Sequence, residues 1–124
     1  MPFFAVDKEL VFPPVHYAEP DGLLAMGGDL SPERLLLAYR SGIFPWYEGR
    51  DILWWSPDPR FVLLPSEIKI SKSMKTLINK QAFAFNVNKA FSEVIFHCQQ
   101  INRQGQSGTW ITEEVLAAYT IMHT

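Results

Sequence analysis

Nine prolines divide this chain of 124 residues into short segments and constrain its fold more than any other feature. Four of them lie among the first 30 residues, where no apolar periodicity lasts more than a few positions, which predicts an irregular or extended arm. Pro57 and Pro59 interrupt one apolar run, and Pro65 ends the next. Because proline disrupts helices and inner strands, we expect a domain boundary near here. The predicted division is a small N-terminal domain, residues 1–62, and the incomplete beginning of a second domain, residues 63–124.

The composition predicts a folded chain without disulfides. Hydrophobic residues make up 48% and aromatic residues 14%, against 19% charged, which excludes a mainly disordered protein. The single cysteine, Cys98, cannot form an internal disulfide, and no run approaches the roughly 20 apolar residues of a membrane helix. The N-terminal residues lack the basic region of a signal peptide. We therefore expect a cytoplasmic protein with no membrane contact.

Capping signals predict four helices. Ser31 followed by Pro32 and an acid predicts a helix that starts at Pro32 and stops near Ser41, before Gly42. The other three N-caps are predicted at Ser71, Asn88 and Thr112.

Apolar runs predict strands at residues 52–55, 61–64 and 83–87. The only partner in view for the strand at 83–87 is the run at 61–64, so we expect a truncated chain. With too few neighbours for that strand, and too little to cover the apolar face of the last helix (Val115, Leu116, Tyr119 and Met122), residues 63–124 should expose a sizeable apolar patch. The fragment alone should then be unstable or self-associating.

The two halves of the chain differ in charge. Residues 1–62 carry five basic groups and nine acids, giving −4, whereas residues 63–124 carry six basic groups and four acids, giving +2. Within the basic half, Lys72 and Lys75 are three apart on a predicted helix and would share one face. They are either solvated surface lysines or contacts for an anionic partner.

Several blocks along the chain resemble, together and in register, the leucyl/phenylalanyl-tRNA-protein transferase family of bacterial aminoacyltransferases. They are EPDGLLAMGGDLSP (residues 19–32), AY (38–39), GIFPW (42–46), ILWWSPDPR (52–60), SKSMK (71–75) and GTWIT (108–112). The agreement of so many tryptophan- and proline-rich blocks is far more specific than any single motif.

The resemblance implies an enzyme that takes leucine or phenylalanine, and also methionine, from its aminoacyl-tRNA. It joins that amino acid to the N-terminal arginine or lysine of a protein and so marks the protein for degradation. The implied fold is α+β, a small N-terminal domain followed here by the truncated start of an acetyltransferase-like (GNAT-like) α/β domain. No metal or nucleotide cofactor is implied. The catalytic residues that act on the acceptor amine are expected beyond Thr124, so this fragment alone is expected to be inactive.

By the same resemblance, Trp46 and Trp110 match family tryptophans that help line the pocket for the aminoacyl side chain, and Lys72 and Lys75 are candidate tRNA-phosphate contacts. Without the resemblance, both tryptophans would be interpreted as core residues. The histidines and Cys98 lack metal-ligand spacing, so no zinc site is expected. The alternative function is a non-catalytic RNA- or peptide-binding module that uses exposed tryptophans for stacking.

Overall fold

A computed structural model describes residues 4–124 of the chain. Its described strands form one small mixed sheet: β1 (Phe4–Val6), β2 (Leu23–Gly27), β3 (Phe44–Pro45) and β4 (Leu53–Trp55), in the order β1-β2-β4-β3. β1 and β2 are parallel, and β4 is antiparallel to both β2 and β3. The described residues also form four α-helices: α1 (Pro32–Arg40), α2 (Lys72–Asn79), α3 (Phe91–Gln100) and α4 (Glu113–His123). The fold is therefore mixed α and β.

The predicted caps of three helices are confirmed. The side chains of Ser31, Ser71 and Thr112 each accept a hydrogen bond from the backbone N–H three residues on, at 3.3, 3.2 and 3.3 Å. Asn88 is not a cap: it lies in the loop before α3 at a φ of +60°, a left-handed conformation that asparagine tolerates better than most residues. The predicted end of α1 near Ser41 is also confirmed.

The prediction of an irregular or extended N-terminal arm is wrong in that β1 and β2 are paired strands of the sheet, β2 as an inner strand. Leu24 and Ala25 on β2 are both fully buried, so the strand has no exposed face and lacks the polar alternation that would reveal it. At its end Gly27 has a φ of +105°, and a Cβ there would lie 2.7 Å from the carbonyl oxygen of Val6. Glycine at this position therefore allows β1 to approach closely.

The strands predicted at 61–64 and 83–87 are not formed, while the strand predicted at 52–55 is confirmed as β4. Phe83 and Phe85 alternate as strand residues do, but they are 80% and 91% exposed, and no neighbouring strand offers hydrogen bonds in the described chain. An apolar alternation needs a paired neighbour to become a strand.

Two compact units make up the described chain. One contains the sheet, α1, α3 and α4, and the other is Pro59–Ala90, which contains α2. In the first unit, buried side chains from the sheet, α1 and both later helices form one core. Its most fully buried apolar members are Leu24, Ala25, Leu35, Ala38, Ile43, Trp54 and Val115.

In the second unit every residue from 59 to 90 is exposed. The apolar side chains expected to be uncovered around residues 83–87 are therefore exposed. The expectation is wrong for α4, because Val115 is buried and Leu116, Tyr119 and Met122 pack against the core of the first unit.

Arg34 joins α1 to the segment after β1. Its side chain is 1% exposed, and its Nε donates to Asp29 Oδ1 at 3.1 Å while Nη2 donates to the carbonyl oxygens of Asp7 and Glu9 at 2.7 and 3.2 Å. The guanidinium thus satisfies two backbone carbonyls of a segment that lacks regular structure.

Candidate functional site

Trp46 lies at the surface, immediately after β3. Its backbone N–H donates to the carbonyl oxygen of Leu53 at 3.0 Å, which continues the β3–β4 pairing, and its side chain is 54% exposed. The indole of Trp55 lies beside it, with ring centroids 6.3 Å apart and planes tilted by 56°. Trp46 is therefore not a core residue, and the pair presents aromatic surface to solvent.

The adjacent tryptophans of β4 have different environments, as expected for neighbours on a strand. Trp54 is fully buried and its Nε1–H donates to the carbonyl oxygen of Gly27 at 2.8 Å. Trp55 is half-buried and stays near the surface with Trp46. Only Trp55 of the two is available to a surface site.

Trp110 lies in the loop before α4 and is half-buried against the core. Its ring meets Tyr119 edge to face, with centroids 6.1 Å apart and planes at 83°. Trp110 belongs to the same compact unit as Trp46. The structure thus places the two predicted pocket residues on one unit, with one side of Trp110 supported by α4.

Three tyrosines and one glutamate accompany the tryptophans and were not singled out from the sequence. Tyr39 on α1 and Tyr119 on α4 share a hydrogen bond between their hydroxyl oxygens at 2.5 Å. Tyr47 follows Trp46, is 4% exposed, and donates from its hydroxyl to Glu114 Oε2 at 2.8 Å. The partner of Tyr47 lies 67 positions away in the sequence, and no local pattern reveals such a pair.

The two more buried phenols are held in the protonated form. Burial raises the pKa of Tyr47 well above its ordinary value, and the hydrogen bond to Glu114 and the charge of that carboxylate add to the effect. Burial likewise raises the pKa of Tyr119, with contributions from Tyr39 and Tyr47. At neutral pH both phenols therefore stay protonated, and the O–H of each can donate a hydrogen bond.

Lys72 and Lys75 lie on α2, in the Pro59–Ala90 unit, and both are exposed. They occupy the first and fourth positions of a helix whose first turn carries no acid. Three-residue spacing puts both ammonium groups on one side of α2, next to the positive end of the helix dipole. This arrangement concentrates positive charge at one end of the helix.

Within residues 4–124, no group of three or more histidine, cysteine, aspartate or glutamate side chains has the arrangement of a metal site. Cys98 is half-buried on α3. None of the helices described is long and apolar enough to cross a bilayer.

Two family models match consecutive parts of the chain. The leucyl/phenylalanyl-tRNA protein transferase N-terminal domain matches residues 28–58, and the leucyl/phenylalanyl-tRNA protein transferase model matches residues 62–124. Together they include Trp46, both lysines of α2 and Trp110.

Curated relatives agree, and each of the following is named leucyl/phenylalanyl-tRNA–protein transferase. The protein of Flavobacterium johnsoniae is 59% identical over 117 residues, covering 94% of this chain and 55% of the relative. That of Syntrophus aciditrophicus is 56% identical over 124 residues, covering 99% of this chain and 52% of the relative. That of Syntrophobacter fumaroxidans is 53% identical, covering 99% and 53%. The chain spans about half the length of the curated relatives it matches, and it belongs to the leucyl/phenylalanyl-tRNA protein transferase family.

Proposed function

We propose that this chain is part of an aminoacyltransferase that moves leucine or phenylalanine, and also methionine, from aminoacyl-tRNA to the N-terminal arginine or lysine of a protein, marking that protein for degradation. The family match and the names of the relatives support the reaction class. The observation that carries the site is the half-exposed Trp46 beside Trp55, on the same unit as Trp110. Aminoacyl-tRNA is a cytoplasmic substrate, and we place the protein there.

The transfer reaction requires little covalent catalysis by the protein. The ester that joins an amino acid to tRNA is already activated, so the neutral α-amine of the acceptor attacks the carbonyl carbon. A C–N bond forms, the ester C–O bond breaks, and the tRNA hydroxyl leaves with a proton that the amine gives up. The protein's contribution is mainly to position the two substrates and to stabilise the developing oxyanion.

Trp46 and Trp110 would position the aminoacyl group by contact with its side chain. Burial of a leucine or phenylalanine side chain contributes about 1.5–3 kcal/mol, which separates large apolar side chains from small ones. Side chains of nearly the same size and shape differ too little in binding free energy for a hydrophobic surface to discriminate between them. A hydrophobic surface of this kind should therefore accept leucine, phenylalanine and methionine alike.

Lys72 and Lys75 would contact tRNA phosphates. Their exposure, their shared side of α2 and the absence of an acid in its first turn support this role. A protein that holds the acceptor end of tRNA must neutralise some phosphate charge, and each lysine contact releases counterions.

We also propose that residues 1–62 form the N-terminal domain and that residues 63–124 begin an acetyltransferase-like domain. The adjoining ends of the two family matches, at residues 58 and 62, support this boundary.

A transfer assay tests the proposed function. Because the relatives are about twice as long, both the 124-residue chain and a chimera should be assayed, the chimera carrying this chain in place of the matching segment of the Flavobacterium johnsoniae protein. Each is incubated with leucyl-tRNA and a peptide that begins with arginine, and the peptide mass should rise by one leucine residue in the chimera sample. The same peptide with an acetylated N-terminus is the control.

A folded chimera that transfers nothing, where the parent relative does, would contradict the proposal. If that chimera still binds the tRNA, the result favours a non-catalytic RNA-binding module, which the exposed Trp46 and Trp55 pair would also suit.

A further inference from the structure

Tyr47 and Glu114 form a hydrogen bond between two segments that are far apart in sequence. The Tyr47 hydroxyl is buried and donates to Glu114 Oε2 at 2.8 Å, while the carboxylate itself reaches the surface. A bond from a buried phenol to a charged carboxylate is stronger than one between neutral groups. It therefore constrains the position of both segments.

One of these segments carries Trp46. Tyr47 is the next residue in the chain, and its side chain points into the core while that of Trp46 is half-exposed. The backbone of Trp46 is held from β4 by Leu53, and the Tyr47 phenol anchors the chain on its other side.

The other segment follows Trp110. Glu114 lies in the first turn of α4, four residues after Trp110, and that turn is capped by Thr112. The loop between them is fixed further by the side-chain amide of Gln99, which donates to the carbonyl oxygen of Ile111 at 2.9 Å. A displacement of Glu114 would therefore be transmitted to Trp110.

We propose that Tyr47 and Glu114 are a positioning pair that sets where Trp46 lies relative to Trp110, and so tunes which aminoacyl side chains the protein accepts. The inference rests on the proposed function, because it takes the two tryptophans as the surface that holds the aminoacyl group. Neither residue contacts the substrate in this scheme. They act by fixing the tryptophans.

The pair is distinct from the bonds that hold the sheet together. β3 and β4 are already joined by their own ladder, and Trp54 holds β4 to β2 through Gly27. Loss of the Tyr47 hydroxyl should therefore leave the sheet intact and release only the link to α4.

The kinetic test uses Tyr47→Phe, Glu114→Ala and Glu114→Gln in the chimera described above. Tyr47→Phe keeps the ring and removes the donor, and Glu114→Gln keeps an oxygen that can accept. Glu113→Gln is the matched control. It removes the same charge from the same turn of α4, but Glu113 accepts its hydrogen bond from Gln99 and not from Tyr47. Tyr47→Phe and Glu114→Ala should each lower kcat/KM for leucyl-tRNA about tenfold, mainly through KM, and change the ratio of leucine to phenylalanine transfer.

In that assay Glu114→Gln should retain most of the kcat/KM of the unsubstituted chimera. The double variant Tyr47→Phe with Glu114→Ala should lose no more kcat/KM than either single variant. Additive losses, or a change in selectivity equally large in Glu113→Gln, would overturn the proposal. A Glu114→Ala variant with unchanged kinetics would also overturn it, whether or not Tyr47→Phe folds.

A second measurement does not depend on activity. In the chimera labelled with 5-fluorotryptophan, each of the four tryptophans of this chain should give its own ¹⁹F resonance, assigned by single Trp→Phe substitutions. Tyr47→Phe should shift the resonances of Trp46 and Trp110 and leave that of Trp54 in place. If the chimera proves inactive while these shifts appear, the proposed function has failed and the positioning link stands. If the chimera is active and Trp46 and Trp110 do not shift, the link is refuted.

Discussion

The indole N–H of Trp55 donates a 2.7 Å hydrogen bond to the backbone carbonyl oxygen of Trp46. This bond fixes the backbone from which Trp46 projects and leaves the Trp46 ring half-exposed. A large aromatic ring at the surface, on a backbone held from two sides, presents a defined apolar contact. This combination distinguishes Trp46 from Trp54, which is fully buried in the core.

Replacing Trp46 with alanine should lower transfer of leucine and phenylalanine by the chimera tenfold or more. A loss of about 1.4 kcal/mol of contact is already a factor of ten. Because the side chain is half-exposed, the thermal midpoint should fall little. Trp54→Phe is the contrasting variant: it loses the hydrogen bond to Gly27 and should destabilise the fold. A folded Trp46→Ala chimera that transfers both amino acids at the original rate would show that the aminoacyl group binds elsewhere.

The helix positions could be predicted because their signals are local. Ser31, Ser71 and Thr112 lie next to the backbone N–H groups that they cap, so a few residues of sequence contain the whole interaction. For Trp46 the composition alone favours a core position, and only the family resemblance predicts that it lines a pocket for the aminoacyl side chain.

Neither β2 nor the Tyr47–Glu114 hydrogen bond could be predicted from the sequence, and the reasons differ. β2 is short and buried on both faces, so its sequence lacks the alternation that marks a half-exposed strand. The hydrogen bond of Tyr47 depends on packing between residues 67 positions apart, which a single sequence does not contain. For residues 83–87 the prediction failed for the reverse reason: the alternation is present, but none of the strands described in residues 4–124 pairs with it.

Arg34→Ala should destabilise the first unit by about 2–4 kcal/mol. It removes three hydrogen bonds from a charged donor and leaves the carbonyl oxygens of Asp7 and Glu9 without that donor. Urea unfolding followed by tryptophan fluorescence measures the change. Arg40→Ala, at the exposed end of the same helix, should change the midpoint hardly at all, and equal effects of the two substitutions would contradict the assignment.

Stability should fall at high pH because of Tyr47 and Tyr119. The pKa of each phenol is raised in the folded protein, so the native state retains a proton that the unfolded chain loses above its ordinary pKa of 10. The stabilisation is therefore complete below pH 10 and is lost as the pH rises beyond it. Unfolding monitored at pH 8–11.5, with tyrosinate absorbance at 295 nm, should show this fall, and Tyr47→Phe should make it shallower. An equal slope in the variant would show that Tyr47 does not contribute.

Replacing Lys72 and Lys75 together with alanine should weaken aminoacyl-tRNA binding by the chimera. The slope of log K against log salt should become shallower by up to about 1.8, the value for two phosphate contacts on a duplex. Lys8→Ala, an exposed lysine in the acidic part of the chain, should leave the slope unchanged. An unaltered slope in the double variant would mean that these lysines are only solvated surface groups.

The Pro59–Ala90 unit should be the least protected part of the 124-residue chain. Every one of its residues is exposed, so local unfolding of this unit uncovers almost no further apolar surface and costs little free energy. Amides in α2 should exchange with deuterium much faster than those of β2 and α1, whose core side chains Leu24 and Leu35 are fully buried. The exposed phenylalanines Phe83 and Phe85 should also promote self-association, which sedimentation would detect. Phe83→Ser combined with Phe85→Ser should reduce that association without changing the thermal midpoint of the first unit. In the exchange experiment, protection of the α2 amides equal to that of the α1 amides would contradict the prediction, because it would show that the apolar residues of α2 are covered in solution.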